Sequence, residues 1–194
     1  MLNRVTIAAL AVAVLTACAS PGPPTIQTLH AQAAFPPQAE QMAAFGRLIG
    51  DWDIIVEFRQ EDGSWIEAEG EWHFGWILQG RAVQDVWTVY RPGSDRSAPD
   101  AILAYGTTVR VYDASADAWH VNWMGVHNHN YTRFLARNTG EELVMDAVGE
   151  EGDPFQWIFS DITPDSFRWR AQSFSNGAWD VPQRMSAVRR ERRR

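Results

Sequence analysis

The sequence predicts an all-β protein, an antiparallel up-and-down barrel of about ten strands with a short N-terminal helix closing one end. Apolar and polar residues alternate with period two in most segments after Trp52, and turn signals recur about every ten residues. No segment between those turns has helical periodicity, so neighbouring strands are expected to pair as hairpins rather than through parallel crossovers. A meander of this many strands tends to close, because closure removes its exposed edges.

The first 17 residues have the organisation of an export signal. Arg4 is positively charged, and residues 5–16 form an apolar run too short to span a bilayer. Leu15-Thr16-Ala17-Cys18 is similar to the bacterial lipobox, and Cys18 is the only cysteine in the chain, so no intramolecular disulfide can form. We expect a palmitate-bearing lipoprotein of the bacterial cell envelope, anchored at Cys18 on the outer-membrane or periplasmic side. An ordinary signal peptide that contains a cysteine is the alternative.

A flexible tether and a short helix are predicted before the barrel. Residues 18–37 are rich in Pro, Ala, Gln and Ser without periodicity, a composition typical of a disordered linker. In residues 38–49, Met42, Phe45 and either Leu48 or Ile49 recur at helical spacing, and Pro37 suits a first helical turn. We expect this helix to cover the lower end of a single barrel domain spanning residues 38–188.

The strand that begins at Gly50 places Trp52, Ile54 and Val56 on one face, and the same logic orients later strands by their more apolar face. Glu67, Glu69 and Glu71 share the outer face of the second strand. The residues predicted to face inward are Trp52, Ile54, Val56 and Phe58; Ile66, Ala68, Trp72 and Phe74; Leu103, Tyr105, Thr107, Val109 and Val111; Trp119, Val121 and Trp123; Leu143, Met145 and Ala147; Phe155, Trp157 and Phe159; Phe167, Trp169 and Ala171; Trp179 and Val181. Residues 81–90 and 130–136 lack clean alternation, and their orientation stays open.

A Gly-x-Trp sequence, here Gly50 to Trp52, that enters the first strand after a helical lead-in resembles the lipocalin and calycin β-barrels. The nearest resemblance, over residues 45–188, is to lipocalin-like bacterial families of unknown function, which are similar in shape to nitrobindin. Nitrobindin-type barrels bind haem through a histidine contributed late in the chain. No histidine follows His129 in this sequence. This departure argues against haem, and we expect no cofactor.

Seven of the ten tryptophans lie on predicted inward faces, which leaves two interpretations of the interior. The indoles either fill the barrel as core or line an aromatic pocket for a small hydrophobic ligand. If residues 91–100 close the mouth beside the hairpin tip at 127–130, Trp123 is the first large surface that an entering ligand meets. The residues expected to bind a ligand are Trp52, Trp72, Tyr105, Trp123 and Trp157, with Arg133 orienting a polar group.

The charge distribution excludes several functions. The formal net charge is −7, although five of the 17 basic residues lie in residues 189–194, so the barrel itself is distinctly acidic. An acidic domain repels phosphate backbones, and we expect no nucleic-acid partner. All 17 basic residues are arginine, which excludes Schiff-base catalysis. Residues 189–194 are expected to be a disordered basic tail; contact with anionic headgroups is the alternative.

The histidines do not predict a metal site. His127 and His129 alternate, and could point to one side of a strand, but a metal needs further ligands. His73 and His120 fall on predicted outer faces, and the His-Asn pairs at 127–130 suit a hairpin tip. We expect no metal.

Asp85 and Arg81 are the catalytic candidates, since Asp85 lies four residues beyond Arg81 on the same strand face. With Arg133 they could form an internal charged cluster, and such clusters often mark a site. The alternative is a structural ion pair or solvent exposure. Three functions therefore remain open: a carrier of a small hydrophobic ligand; a hydratase, isomerase or cyclase with Asp85 as general acid or base; and an envelope interaction protein with a filled barrel.

Overall fold

The computed structural model describes residues 29–149 and 152–191, and in it ten strands form a closed antiparallel barrel. Each strand pairs with its neighbours in sequence, and the first pairs with the last. The predicted up-and-down barrel with one short helix is therefore confirmed. The elements are a 3-10 turn (Pro36–Gln38), α1 (Ala39–Gly46), β1 (Gly50–Arg59), β2 (Trp65–Ile77), a 3-10 turn (Leu78–Gly80), β3 (Ala82–Tyr90), β4 (Ile102–Asp113), β5 (Ala118–Gly125), β6 (Asn130–Asn138), β7 (Leu143–Val148), β8 (Pro154–Ser160), β9 (Ser166–Ser175) and β10 (Ala178–Arg189).

The predicted signal peptide, Cys18 and the first part of the predicted tether lie outside the described residues, as do residues 192–194 of the tail. Within the described part of the chain, no helix combines the length and apolar character needed to cross a membrane.

Helix α1 closes one end of the barrel, which we call the plugged end. Met42, Phe45 and Leu48 are at most 1% exposed. The Phe45 ring lies 5.0 Å from Trp119 and 6.3 Å from Phe159, both in edge-to-face contact. The helical spacing that the sequence shows thus seats three apolar side chains in the barrel, although α1 itself ends at Gly46.

The chain reaches the barrel earlier than the predicted tether implies. The Ala31 amide donates to the Trp76 carbonyl at 2.8 Å, and the Phe35 amide donates to the Gly80 carbonyl at 2.9 Å. The Arg81 guanidinium lies 3.6 Å above the Phe35 ring. These contacts make residues 31–35 part of the folded domain, and the prediction of a free linker is wrong for them.

The start of the basic tail is also ordered, contrary to the prediction. Arg189 ends β10, donates from Nη1 to the Ile49 carbonyl at 2.8 Å and places its guanidinium 4.0 Å from the Trp52 ring. Arg190 forms an ion pair with Asp53. Both arginines find these partners because β10 lies beside β1 at the plugged end: Arg189 contacts a carbonyl and an indole ring, and Arg190 contacts a carboxylate.

Strand β4 faces the opposite way from the prediction. Tyr105 and Val111 are 38% and 39% exposed, whereas Thr108 and Arg110 are 1% and 0% exposed. The less apolar alternate turns inward because it lies beside Asp85, an inward carboxyl of β3 that needs polar partners. The predicted inward faces of β1, β5, β7, β8 and β9 are confirmed.

Two further residues predicted to face inward are exposed, Ile66 and Trp179. Both lie near hairpin turns, where the strands extend beyond the packed interior. A register shift in β10 between Asp180 and Gln183 separates Trp179 from the inward residues that follow it, and Trp179 packs on Phe174 at 5.4 Å instead.

Candidate functional site

A cavity of about 200 Å³ lies at the end of the barrel opposite α1, which we call the open mouth. The hairpin turns that follow β1, β3, β5, β7 and β9 surround this mouth. Five of the lining residues are tryptophans, three have side-chain amides, and none is charged. The cavity is lined by Phe58, Trp72, Trp87, Ala104, Trp123, Asn128, Asn130, Trp157, Trp169, Gln183 and Met185.

The five indoles support one another in a chain of edge-to-face contacts. The Trp123 ring lies 5.9 Å from Trp87 and 5.4 Å from Trp157. Trp169 continues the chain, 5.4 Å from Trp157 and 6.4 Å from Trp72. Interplanar angles between 66° and 77° give favourable quadrupole geometry. The cavity wall is therefore held in place before any ligand arrives.

A glycine makes room for the central indole. A Cβ atom at Gly106 of β4 would lie 2.2 Å from Cη2 of Trp123. Real Cβ contacts are never so short, so the Trp123 ring occupies this position only because residue 106 has no side chain. The close contact between a large residue on β5 and a glycine on β4 sets the shape of the cavity on this side.

The indole N–H groups differ in their hydrogen bonding. Trp87 Nε1 donates to Met185 Sδ at 3.3 Å, and Trp52 Nε1 donates to the Leu48 carbonyl at 2.7 Å. Trp72 and Trp169 are each 4% exposed, and their Nε1 atoms are buried without a hydrogen-bond partner among the described residues. Two cavity-lining tryptophans thus retain an unused donor.

The tip of the β5–β6 hairpin forms the polar rim of the mouth. The Asn130 backbone N–H donates to Asn128 Oδ1 at 3.3 Å, and Thr132 Oγ1 donates to Asn130 Oδ1 at 2.8 Å. The described pairs between β6 and β7 join residues 135–138 to residues 143–146, and an outer groove lies where β6 extends past them. Asn128 and Asn130 line both this groove and the cavity, so the two openings share this part of the rim.

The loop at residues 91–100 lies at the same end but does not cover the mouth. Arg96 Nη2 lies 2.5 Å from Glu69 and Nη1 lies 3.4 Å from Glu71, both on the outer face of β2. Its guanidinium also lies 4.8 Å from the Tyr90 ring. The loop therefore does not close over Trp123, because Arg96 holds it against the outer face of β2.

A buried ion pair occupies the interior toward the plugged end. Arg110 Nη1 lies 2.6 Å from Asp85 Oδ2, and both side chains are fully buried. The Thr108 amide donates to Asp85 Oδ1 at 3.0 Å. The guanidinium is flanked by aromatic rings, at 5.0 Å from Phe45 and 5.5 Å from Phe74. None of its nitrogens makes an aligned hydrogen bond to a described residue, so the contact is an ion pair stabilised by charge and by the rings.

Burial raises the pKa of the Asp85 carboxyl, because desolvation disfavours its charged form. Arg110 opposes this shift by its positive charge, and the Thr108 amide opposes it by its hydrogen bond. Asp85 does not line the cavity. A carboxyl with a raised pKa is therefore present, but it is enclosed by protein.

The predicted ligand-binding residues fall into two groups. Trp72, Trp123 and Trp157 line the cavity. Trp52 faces inward as predicted, but it is fully buried at the plugged end. Tyr105 and Arg133 are on the outside of the barrel, so none of these three residues lines the cavity. Arg133 lies on the outer alternate of β6 and borders the groove instead.

The predicted partner of Asp85 is also wrong. Arg81 is exposed, stacks on Phe35 and donates to Gln79 at 3.1 Å. Arg110 takes its place, and it was missed because β4 is reversed. Trp87 was missed because its strand has apolar residues on both faces; Trp169 was predicted to face inward but not to line a site.

The histidines lie on the outside, as their positions in the strands and turns predict. His127 and His129 are exposed at the hairpin tip. His73 Nδ1 lies 2.7 Å from Asp51, and His120 Nε2 lies 3.1 Å from Asp113. Among the described residues, no group of three or more His, Cys, Asp or Glu side chains is arranged to hold a metal ion.

Comparisons with known proteins place the fold. The barrel is similar to the crystal structure of Rv2717c from M. tuberculosis, with a TM-score of 0.55 and 11% identity over 79% of this chain and 99% of that one. The chain folds as a lipocalin-like barrel. An S-type phycobiliprotein lyase, CPES from Guillardia theta, matches with a TM-score of 0.49 and 10% identity over 77% of this chain and 92% of that one. No family model and no curated protein matches the sequence.

Proposed function

We propose that this protein binds a small, flat, hydrophobic ligand in the tryptophan-lined cavity at the open mouth. The observation that carries this proposal is the ring of five indoles around a cavity without a charged lining residue. Ligand sites are mostly apolar, with a few placed polar groups, and the three amides at this mouth fit that description. A barrel filled for stability alone would not need a cavity at this end.

The size of the cavity limits the ligand. At about 200 Å³ it lies below the range of roughly 300–1,000 Å³ that is typical of drug-sized ligands. A compound of two fused rings suits this volume, and its faces can pack against the indoles. Long acyl chains and large macrocycles would require the wall to open.

The test is to fill the cavity from its own wall. Ala104 lines the cavity, and Ala104→Trp places a large ring in the ligand's space. We expect naphthalene binding, measured by equilibrium dialysis, to weaken about tenfold or more, which corresponds to about 1.4 kcal/mol.

Tyr105→Trp is the matched control, because it introduces the same side chain one position along β4 on the outer face. It should leave naphthalene binding unchanged. Wild-type protein that takes up no naphthalene, or an Ala104→Trp variant that binds like wild type, would contradict the proposal.

The enzyme hypothesis receives less support. Its best observation is the raised pKa of Asp85, a property that catalytic carboxyls often have. Asp85 is 1% exposed, is paired with Arg110 and does not line the cavity, so a bound ligand has no direct contact with it. We therefore propose binding rather than catalysis.

We also propose that the barrel is anchored in the cell envelope through a lipid on Cys18, which supports a role in holding ligands near a membrane. The lipobox-like sequence and the isolated thiol support this proposal. Cys18→Ser should release the protein from membrane fractions and abolish incorporation of labelled palmitate. Unchanged fractionation of the variant, with no palmitate in wild type, would reject the anchor.

A further inference from the structure

We propose that the ligand is amphipathic: its flat ring occupies the tryptophan-lined cavity, and an anionic group such as a carboxylate, carried on a flexible chain, binds Arg133 in the outer groove between β6 and β7. This inference rests on the proposed function and specifies the chemistry of the ligand. It assigns the outer groove as the second half of the same site.

The outer groove lies where the wall of the barrel is incomplete. The described pairs between β6 and β7 end at Leu135 and Asp146. Residues 131–134 continue to pair with β5 on their other side, and residues 147–148 continue to pair with β8. Each of the two strands therefore has an edge that is unpaired within the described part of the chain, and a groove of about 990 Å³ lies along these edges.

The lining of the groove includes both faces of the wall. Arg133 and Asp146 line it from the outer alternates of β6 and β7. Ala147 and Phe155 also line it, although both belong to inward-facing alternates and pack against the core. The Phe155 ring lies 6.0 Å from Trp157, which lines the cavity. The groove thus extends into the wall, and a contact between two rings links its lining to that of the cavity.

The groove and the cavity also share part of the rim, since Asn128 and Asn130 line both. Arg133 lies three residues beyond Asn130 on β6, which corresponds to about 10 Å along a strand. A ligand with its ring in the cavity can therefore pass its chain beside the two asparagines and bring a terminal group to the guanidinium.

Arg133 provides a positive charge that the protein itself does not neutralise. It is exposed, and within the described part of the chain no carboxylate forms an ion pair with it. Asp146, which also lines the groove, accepts a hydrogen bond from Gln156 Nε2 at 2.8 Å instead. Elsewhere on the outer wall the fold does supply an acid, as in the ion pair of Arg184 with Glu57. A guanidinium without such a partner can bind a carboxylate through two parallel hydrogen bonds.

The cavity determines where the charge of the ligand can lie. None of the residues that line it is charged, so a carboxylate buried among the five indoles would lose its hydration without gaining a partner. The groove lets the charge stay outside while the ring is buried. A chain that separates the ring from the charge is therefore an essential part of the proposed ligand.

The competing explanation is that Arg133 is an ordinary solvated arginine that attracts anions without forming a site. Arg137 allows a direct comparison, because it is exposed on the same outer face of β6 and does not line the groove. A general attraction of anions would involve both arginines equally, whereas a site in the groove involves Arg133 alone.

The experiment compares 6-(2-naphthyl)hexanoate with 6-(2-naphthyl)hexan-1-ol, which has the same ring and chain without the charge. Equilibrium dialysis with the full chain would measure both probes, and naphthalene, for wild type, Arg133→Gln and Arg137→Gln. We expect wild type to bind the acid about three- to tenfold more tightly than the alcohol, as is reasonable for a charged hydrogen bond at an exposed position. Arg133→Gln should remove this preference, and Arg137→Gln, the matched control, should retain it.

A second measurement needs no variant. In 2-naphthoate the carboxylate is attached directly to the ring, and this acid should bind wild type more weakly than naphthalene because its charge would enter the cavity. Equal binding of these two probes would overturn the separation of ring and charge.

Absence of a preference for the long acid in wild type, or its loss to the same extent in Arg133→Gln and Arg137→Gln, would overturn the role of the groove. Naphthalene binding, and with it the proposed function, would stand in either case. Failure of wild type to bind any of these probes would overturn the proposed function itself, and the inference with it.

Discussion

The two ends of this barrel use the same residue type for different purposes. At the plugged end, Trp52 is fully buried, donates to the Leu48 carbonyl and packs on Phe167 at 4.7 Å, so its ring is core. At the open mouth, Trp123 is 9% exposed and borders a cavity. The difference comes from α1, which fills one end with Met42 and Phe45 and is absent from the other. An indole-rich barrel is therefore neither wholly filled nor wholly hollow.

The largest predicted effect concerns the charged pair at the plugged end. Arg110→Met leaves the Asp85 carboxyl buried without its counter-charge, and it should lower the free energy of unfolding by about 3–5 kcal/mol. Urea unfolding measures this. Asp85→Leu combined with Arg110→Met should recover most of the loss, because it removes both charges. A single variant as stable as wild type would show that Asp85 is already neutral.

Truncating one tryptophan at each end tests the comparison directly. Trp52→Ala should cost about 3–5 kcal/mol of stability, as is typical of a large ring removed from a close-packed core. Trp123→Ala should cost less, because the ring already borders a void and has fewer packing contacts to lose. It should weaken naphthalene binding more than Trp52→Ala does. Equal losses of stability would mean that the mouth is core as well.

A smaller effect is expected where the wall of the cavity is shaped by a glycine. Gly106→Ala forces the Trp123 ring to move, and overpacking of this kind should cost about 1–3 kcal/mol and weaken naphthalene binding. Gly75→Ala is the control, since a Cβ at Gly75 meets no atom within 4 Å. Thermal unfolding and dialysis report the two effects. An unchanged Gly106→Ala variant would show that the indole is free to shift.

The smallest predicted effect is the pH dependence of stability that arises from the carboxyls of Asp113 and Asp85. Hydrogen bonds from Ser115 and His120 lower the pKa of Asp113 from 3.8 to about 2, whereas burial raises the pKa of Asp85. Asp113 therefore contributes stability that is present above pH 3.8 and is lost as pH falls toward 2. Asp85 acts in the opposite sense, because its protonated form is favoured in the folded state. Carboxyl NMR titration should show Asp85 protonating at the higher pH, and Ser115→Ala should raise the pKa of Asp113.

Local patterns predicted the fold well and the site only in part. The alternation at Trp52, Ile54 and Val56 and the helical spacing of Met42 and Phe45 identify their elements, because both depend on one buried face. The periodicity of apolar residues can be read within a single strand or helix, without knowing its neighbours.

The orientation of β4 depends on a neighbour instead. Its apolar alternate includes Val109 and Val111, yet Thr108 and Arg110 face inward beside Asp85 of β3. The eleven-residue loop between β3 and β4 does not fix the register as a two-residue turn would, and a shift of one residue reverses every side chain. The sequence indicated only that Asp85 could lie inside the barrel, because the alternation in residues 81–90 left the orientation of that strand open.

The contacts between Arg189 at the end of β10 and residues at the start of β1 bear on how the chain folds. Nine strand pairings join neighbours in sequence, while the tenth joins residues 52–58 to residues 183–189. This seam is the one long-range closure among the ten pairings, and long-range closures form slowly because their loop-closure entropy is lost before their contacts form. Until that seam forms, β1 and β10 each present an open edge to other chains. Arg189 donates to the Ile49 carbonyl and stacks on Trp52, and these contacts stabilise the closed seam at its end.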